Sequence, residues 1–278
     1  MQPEDQVRPH AATGGGSLHE VARVLTQSRY VVAMTGAGMS VESGIPTFRG
    51  KDGLWTKYGT PPMDGYRRFR SDPVGYWQRE VNRQMDAHIV ELREALIAAK
   101  PHPGHHALVG LERIGVIRSV VTQNIDGLDL RAGMRNLVEI HGNRSRLRCT
   151  GCGVREPMGE FVMSRPPEPC RSCGDVVKFD AVMFGEPIPS DVMAAAKAET
   201  ERADCIIAIG TSATVRPASG LLWIAQSRGA TIIEINPQPT KLSAICRHVI
   251  RGASGQVLPM LHQQVANLKS GVTANADL

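Results

Sequence analysis

Aromatic residues are scarce in this 278-residue chain: 3 Trp, 4 Tyr and 5 Phe amount to 4% of it. Proteins that hold single-stranded nucleic acid use aromatic stacking platforms, so the composition speaks against that class. No apolar run approaches the ~18 residues that span a bilayer. Residues 1–17 lack the apolar core of a secretory signal and read as a loose tail. The expectation is a cytoplasmic chain without a membrane partner. Neither sign of charge dominates. A net charge of +5 suits a phosphate-bearing ligand, and no direct nucleic-acid partner is expected. With 42% hydrophobic and 21% charged residues the chain is of globular type, long enough for a large core in one domain or two.

What is present is an alternation of short apolar runs and helix-period segments. The runs 30–34, 117–121, 205–209 and 231–235, with a weaker fifth at 248–251, read as buried strands. The first four lead into Gly36, Asn124, Gly210 and Asn236. Helical spacing covers 18–28, the set Val81, Met85, Ile89, Leu92 and Leu96, then 107–114 and 192–201. Such alternation predicts a mostly parallel α/β sheet covered on both faces. Ligands of such sheets bind beyond the carboxyl ends of the strands. Residues 143–180 break the pattern and read as an inserted module.

That module carries Cys149-x2-Cys152, 17 intervening residues, then Cys170-x2-Cys173. Paired thiolates at this spacing reach one tetrahedral ion, and four of them close the shell, so the expected metal is one structural Zn2+. Four unrelated thiols or two redox pairs are the alternatives. Cys205 and Cys246 read as core residues. The alternation Arg144, Arg146, Arg148 forms either a basic face or a solvated strand edge.

Gly36-Ala37-Gly38-Met39-Ser40 follows the first strand, where free backbone N–H groups can meet a phosphate. The fingerprint of dehydrogenases is incomplete: Val41 stands at the third glycine position and Thr56 where an acidic ribose ligand belongs. Pro46 and the glycines predict an irregular loop rather than a helix. It presents Phe48 and Arg49, and an Arg there can pair with an anion and close over it; a surface loop with a packed Phe is the plainer reading. Gln123, Asn124 and Asp126 end the second strand with paired donors and acceptors suited to a polar ligand. His141 can serve as a general base or as an ordinary structural histidine.

Together these segments resemble the sirtuin family of NAD-dependent protein lysine deacylases. The likeness is carried by residues 36–49, Thr122 to Leu128, Glu139 to Asn143, the four cysteines, Phe184-Gly185-Glu186, Gly210-Thr211-Ser212 and Asn236-Pro237. They fall in the family's order across 20–262. The resemblance implies a Rossmann-like domain from 18–142 and 180–265, with a helical cleft-lining segment at 50–100. It also implies a zinc-ribbon module at 143–179 and tails at 1–17 and 266–278. NAD would lie on Gly36, Ala37, Gly38 and Ser40. Phe48 would shield the reacting ribose and Arg49 would face phosphate and ribose. Gln123, Asn124, Ile125 and Asp126 would hold the nicotinamide end, and Gly210, Thr211, Ser212 and Asn236 the adenosine half. Val182, Phe184, Gly185, Glu186 and the loop around Val215 would flank an acyl-lysine peptide as an added strand.

In the implied reaction His141 is the base that acts on the ribose hydroxyls, Asn124 assists, and the products are nicotinamide and O-acyl-ADP-ribose. Family members that take acidic acyl groups carry Tyr-x-x-Arg on a helix, matched by Tyr76 and Arg79. Keeping the spacing from Pro73 to Trp77 moves those positions to Glu80 and Arg83. Glu80 would repel an acidic acyl group, which favours deacetylation or removal of long neutral chains over desuccinylation or demalonylation. Protein mono-ADP-ribosylation would use the same NAD site. A non-catalytic NAD- or nucleic-acid-binding module has no need of the combination Arg49, Asn124, Asp126 and His141. The oligomeric state is not implied.

Overall fold

The computed structural model describes residues 17–158 and 165–271. The parts of the two expected tails at 1–16 and 272–278 lie outside the described residues, as do 159–164 of the small module. Ser17 opens α1 (Leu18–Gln27): its hydroxyl accepts from Glu20 N, and the Glu20 carboxylate accepts from Ser17 N, a reciprocal cap. Then come β1 (Val31–Thr35), a 3-10 helix (Ala37–Ser43), α2 (Leu54–Tyr58), α3 (Gly65–Ser71), α4 (Pro73–Val81), α5 (Ala87–Ala98), α6 (Pro103–Arg113), β2 (Ile117–Thr122), α7 (Leu128–Ala132) and β3 (Leu137–Glu139). The small module supplies β4 (Arg146–Cys149), β5 (Arg155–Pro157) and β6 (Val177–Phe179). The chain finishes with α8 (Ser190–Arg202), β7 (Cys205–Ile209), α9 (Gly220–Ser227), β8 (Thr231–Ile235), β9 (His248–Ile250) and α10 (Ser254–Ser270). No helix among the described residues is long and apolar enough to cross a membrane.

Six parallel strands form one sheet in the order β3-β2-β1-β7-β8-β9. The chain starts in the middle, winds outward to β3, and returns to β7 on the other side of β1. This is the doubly wound Rossmann order, with its switch point between β1 and β7. Alternate residues of β1 feed the two faces. Val31 and Ala33 pack with α1, α6 and α10, whereas Val32 and Met34 pack with α8 and α9. Cys205 and Cys246 are buried core thiols, one in each layer.

At the switch point two loops touch backbone to backbone. Gly36 N donates to Ile209 O at 3.0 Å and Gly38 N to Gly210 O at 2.8 Å. A Cβ on Gly38 would stand 2.7 Å from Gly210 Cα, and one on Gly210 (φ +58°) 2.4 Å from Met39 N. These glycines are required by each other before any ligand enters.

Three expectations about helices need correction. The segment after Gly36 is a 3-10 helix through Ser43, and only the chain beyond it is irregular. The helix expected across Val81 to Leu96 is two helices, broken at 82–86 with Arg83 at φ +56°. α4 docks on the small module through Trp77, while Leu96 of α5 packs with Ile45 and Leu128, and a single straight helix cannot serve both. Finally, the chain does not become a tail at 266: α10 runs to Ser270 because Val265 and Leu268 pack on the core.

The small sheet is antiparallel, in the order β5-β4-β6. Trp77 Nε1 donates to Val177 O at 2.9 Å and its ring lies 4.8 Å from that of Phe179. Arg144, Arg146 and Arg148 form neither a basic face nor a solvated edge. Arg144 stacks on Phe179 and pairs with Glu80 at 3.0 Å, Arg146 pairs with Glu139 at 2.5 Å, and Arg148 pairs with Asp180 at 3.0 Å and with Glu186.

Because the contact of Gly38 with Gly210 leaves no room for a methyl group, Gly38→Ala should cost about 1–3 kcal/mol. A thermal melt should register the loss; an unchanged midpoint would refute the close approach.

Candidate functional site

The crevice beyond the carboxyl ends of β1, β2 and β7 gathers polar side chains that lie far apart in sequence. Thr35 and Thr122 end paired strands and share a 2.7 Å hydrogen bond, Thr35 donating. Thr122 Oγ1 also accepts from Asn124 N at 3.1 Å, which sets the first step of the loop. The Asn124 amide donates to Gly36 O at 3.1 Å and to Ser40 Oγ at 3.0 Å. Ser40 donates in turn to Asp126 Oδ2 at 2.7 Å, and Asp126 Oδ1 accepts from Leu128 N at 2.8 Å. Burial raises the Asp126 carboxyl above its usual range, against the pull of these donors. Gly36, Ser40, Asn124 and Asp126 therefore form one hydrogen-bonded unit, with Ala37 and Gly38 in the same 3-10 turn and Ile125 in the loop between.

Gln123 and His141 join this unit from the neighbouring strand ends. His141 Nδ1 lies 2.9 Å from Gln123 O. A carbonyl can only accept, so Nδ1 carries the hydrogen and Nε2 keeps its lone pair. Burial also lowers the His141 pKa below the usual 6.5, partly offset by that hydrogen bond. The imidazole is thus neutral and in one tautomer at pH 7. Its turn is fixed by Val182 N, which donates to His141 O at 2.8 Å, and by Gly142 (φ +73°), where a Cβ would stand 2.2 Å from Asp180 O. The Gln123 amide reaches Thr211 Oγ1 at 2.9 Å, and Asn236 Nδ2 donates to Thr211 O at 3.3 Å. Gly210, Thr211 and Asn236 so meet the residues expected at the other end of the ligand.

Ser212 and Arg49 meet through Thr214. Arg49 Nη1 donates to Thr214 Oγ1 at 2.8 Å, Ser212 Oγ is 2.9 Å from the same atom, and the guanidinium lies 4.5 Å from the Trp55 ring centre. Phe48 and Phe184 flank Trp55 at ring distances of 5.8 and 5.6 Å. Sequence reasoning passed over Trp55, although a lone Trp six residues beyond Arg49 in an aromatic-poor chain was a usable signal. It also missed Asp129, a buried carboxyl under the site whose pKa is pushed up to about 7 by burial and by the nearby Asp126 charge. Glu234 is a third omission. Fully buried at the end of β8, it accepts from Thr240, from Ser243 at 2.5 Å and from Arg251 at 3.0 Å, which shapes the loop that carries Asn236.

Among the residues assigned to a peptide, Val182 borders His141, Gly185 turns at φ +80°, and Val215 is half-buried. Glu186 does something else. Its carboxylate is buried and engaged by Lys178 at 3.0 Å, by Arg148 and by Met183 N at 2.8 Å. Its side chain shapes the segment and is not free to meet a peptide. Glu80 is likewise not a free charge. It is buried between Arg144 at 3.0 Å and Arg93 at 3.8 Å, and it accepts from Tyr76 Oη at 3.2 Å. It therefore cannot repel an acyl group as expected. Arg79 pairs with Asp72 at 3.6 Å, and Arg83 is exposed beyond the end of α4.

The four module cysteines converge with all Sγ atoms within 4.8 Å of one another. Cys149 and Cys173 sulfurs are 3.4 Å apart, Cys152 and Cys170 3.6 Å. A tetrahedral ZnS4 centre with 2.3 Å bonds has edges of about 3.8 Å, so the donor set and its spacing fit one zinc ion. Gly153 and Gly174, both at φ +75°, make the knuckle turns.

A switch-point crevice in a doubly wound sheet, beside a closed four-thiolate module, defines a dinucleotide-binding protein with a structural metal. The Sir2 family profile matches residues 36–217. An NAD-dependent protein deacylase of Pyrococcus abyssi is 39% identical over 257 residues, 90% of this chain and 98% of that one. An NAD-dependent protein deacylase of Archaeoglobus fulgidus is 42% identical over 247 residues, 88% and 97% respectively. Among solved structures, a Sir2 homologue in complex with NAD has a TM-score of 0.79 at 38% identity, covering 95% of this chain and 99% of that chain. A Sir2 protein bound to a myristoylated histone peptide has a TM-score of 0.65 at 31% identity, covering 91% and 98%. The chain belongs to the Sir2 family.

Purified protein should contain close to one zinc per chain by elemental analysis. Cys170→Ser should lose the metal and lower the melting temperature; retention of full zinc and stability would refute the four-thiolate site.

Proposed function

We propose that this chain is an NAD-dependent protein lysine deacylase, acting on acyl-lysine proteins and releasing nicotinamide and O-acyl-ADP-ribose. The observation that carries this reading is His141, held neutral with Nδ1 committed to Gln123 O and Nε2 left as a base. A protein that only binds the dinucleotide has no use for such a group. Its membership of the Sir2 family and its relatives' names support the reading.

NAD, when bound, supplies the ribose carbon to which the acyl oxygen is transferred. The chain's residues do the rest. Gly36, Ala37, Gly38 and Ser40 present the loop against phosphate and ribose, with Arg49 over the negative charge. Asn124 and Asp126, locked by Ser40, hold the nicotinamide carboxamide with Ile125. Gln123 meets the adjoining ribose, and Phe48 excludes water from it. Thr211, Ser212, Gly210 and Asn236 hold the adenosine half. His141 Nε2 takes the proton from the ribose hydroxyl system. Val182 to Gly185 and Val215 flank the peptide.

The acyl group favoured is uncharged, and acetyl is the first choice. Tyr76 gives its hydroxyl to Glu80 and Arg79 pairs with Asp72, so the pair that would receive an acidic acyl chain is engaged elsewhere. The cleft divides a large domain, 18–142 and 180 onward, from the zinc module at 143–179. The cytoplasm, which keeps thiols reduced, suits the four-thiolate site.

Nicotinamide release from NAD should require an acylated peptide, and an acetyl peptide should outpace a succinyl one. No release with acetyl, succinyl or myristoyl peptides would overturn the proposal. His141→Ala should lower kcat by about 10²–10⁴-fold while NAD affinity, measured by calorimetry, stays near that of the parent.

The pH profile follows from the same group. The base form of His141 is the active one and its pKa is depressed, so kcat/KM should hold across neutral pH and fall only as pH drops through a value below 6.5. An acid limb centred above 6.5 would contradict the buried, neutral imidazole.

A further inference from the structure

Uncompensated positive charge stands on both walls of the groove assigned above to the acylated peptide. One wall is the segment from Val182 to Glu186. Its Phe184 carbonyl accepts from Tyr66 N at 3.0 Å, which pins the first turn of α3 against it. A Cβ on Gly65 would stand 3.7 Å from the same oxygen. Arg67 and Arg68 follow at once in α3, with side chains 82% and 59% exposed. Both reach a single carboxylate, Asp64, at 2.7 and 3.2 Å, so one positive charge remains. Arg70 of the same helix adds nothing, since it is held by Thr150 and Asp175. The wall's own acid, Glu186, is buried under Lys178 and Arg148.

The other wall is the loop around Val215. Arg216 beside it is exposed and has no ion-pair partner among the described residues. The sequence holds no Asp or Glu between Asp204 and Glu234. The walls are neighbours across a short bridge: Phe184 packs on Trp55, Trp55 carries the Arg49 guanidinium, and Arg49 donates to Thr214, next to Val215. Arg67 and Arg68 thus follow directly on the residue that touches one wall, and Arg216 follows directly on Val215 of the other.

We infer that this chain selects acyl-lysine sites flanked by Asp or Glu, so that its preferred substrate is an acidic peptide. The inference rests on the deacylase reading and adds the charge class of the substrate. Each exposed guanidinium–carboxylate contact is weak and screened by salt, but several acting on one peptide steer its association and suppress like-charged competitors. The interaction is with the flanking residues and is independent of the acyl pocket.

Three acetyl-lysine peptides of equal length, with acidic, neutral or basic flanks, test this in the full chain with saturating NAD. At low ionic strength kcat/KM should be about tenfold higher for the acidic than for the basic peptide, and the ratio should shrink towards one as salt is raised. The double variant Arg67→Glu/Arg68→Glu and the single variant Arg216→Glu should each reduce or reverse the ratio, while turnover of the neutral peptide stays near the parent value. Equal kcat/KM for the three peptides in the parent chain, or an unchanged ratio in both variants, would overturn the inference. Turnover of the neutral peptide without charge discrimination sinks this inference alone. No turnover of any of the three peptides, nor of their succinyl or myristoyl counterparts, sinks the deacylase reading, and this inference with it.

Discussion

Backbone meets backbone where the loops after β1 and β7 part, and the rest of the site depends on that contact. Gly36 and Gly38 donate to the chain around Gly210 without side chains between them. The 3-10 turn after β1 is thereby held over the sheet edge, and Ser40 is carried to Asn124 and Asp126 of the next strand. A doubly wound sheet always opens a crevice at its switch point. Here the glycines decide how tightly the crevice is drawn together, and the amides of Asn124 and Gln123 fasten it on either side.

Buried charge does a second kind of work. Glu80 between Arg93 and Arg144, and Asp180 and Glu186 among Arg148, Arg155 and Lys178, lie at the seam between the small module and the rest of the chain. Pairs of this kind add little net stability over well-packed apolar groups, but losing one partner strands the other. Their directional contacts set the module at one angle to α4. That angle places Val182 against the carbonyl of His141. The four cysteines draw together the turns of the same module.

Much of this was readable from the residues. Strands of four or five apolar residues announce a buried parallel sheet, and the polar turns that follow them mark the ends where the crevice lies. The paired cysteines and the segment from Gly36 to Arg49 are equally plain. What could not be read was the partner of a charge. Glu80 and Arg144 are 64 residues apart, and Arg148 and Glu186 are 38 apart; no local pattern joins them. Glu80 therefore passed for a specificity residue, and the part that the Glu186 carboxylate plays inside the protein went unread. The break at 82–86 was hidden for a similar reason, since apolar spacing runs straight through a point where two helices turn to different partners. Asp129 was silent because it looks like an ordinary acid in a first turn.

Arg49 shows how far the arrangement is prepared before any ligand arrives. A guanidinium has five N–H donors in one plane and two apolar faces. One face rests against Trp55 and one donor is fixed on Thr214. These two restraints define the plane and leave the other donors unassigned, so the entropy that a long flexible side chain would lose on meeting an anion is largely removed in advance. Trp55 also touches Phe48 and Phe184. The side chain that orients Arg49 is thus packed against both the loop after β1 and the segment from Val182 to Glu186. Phe184 and Arg49 therefore meet on the same indole ring.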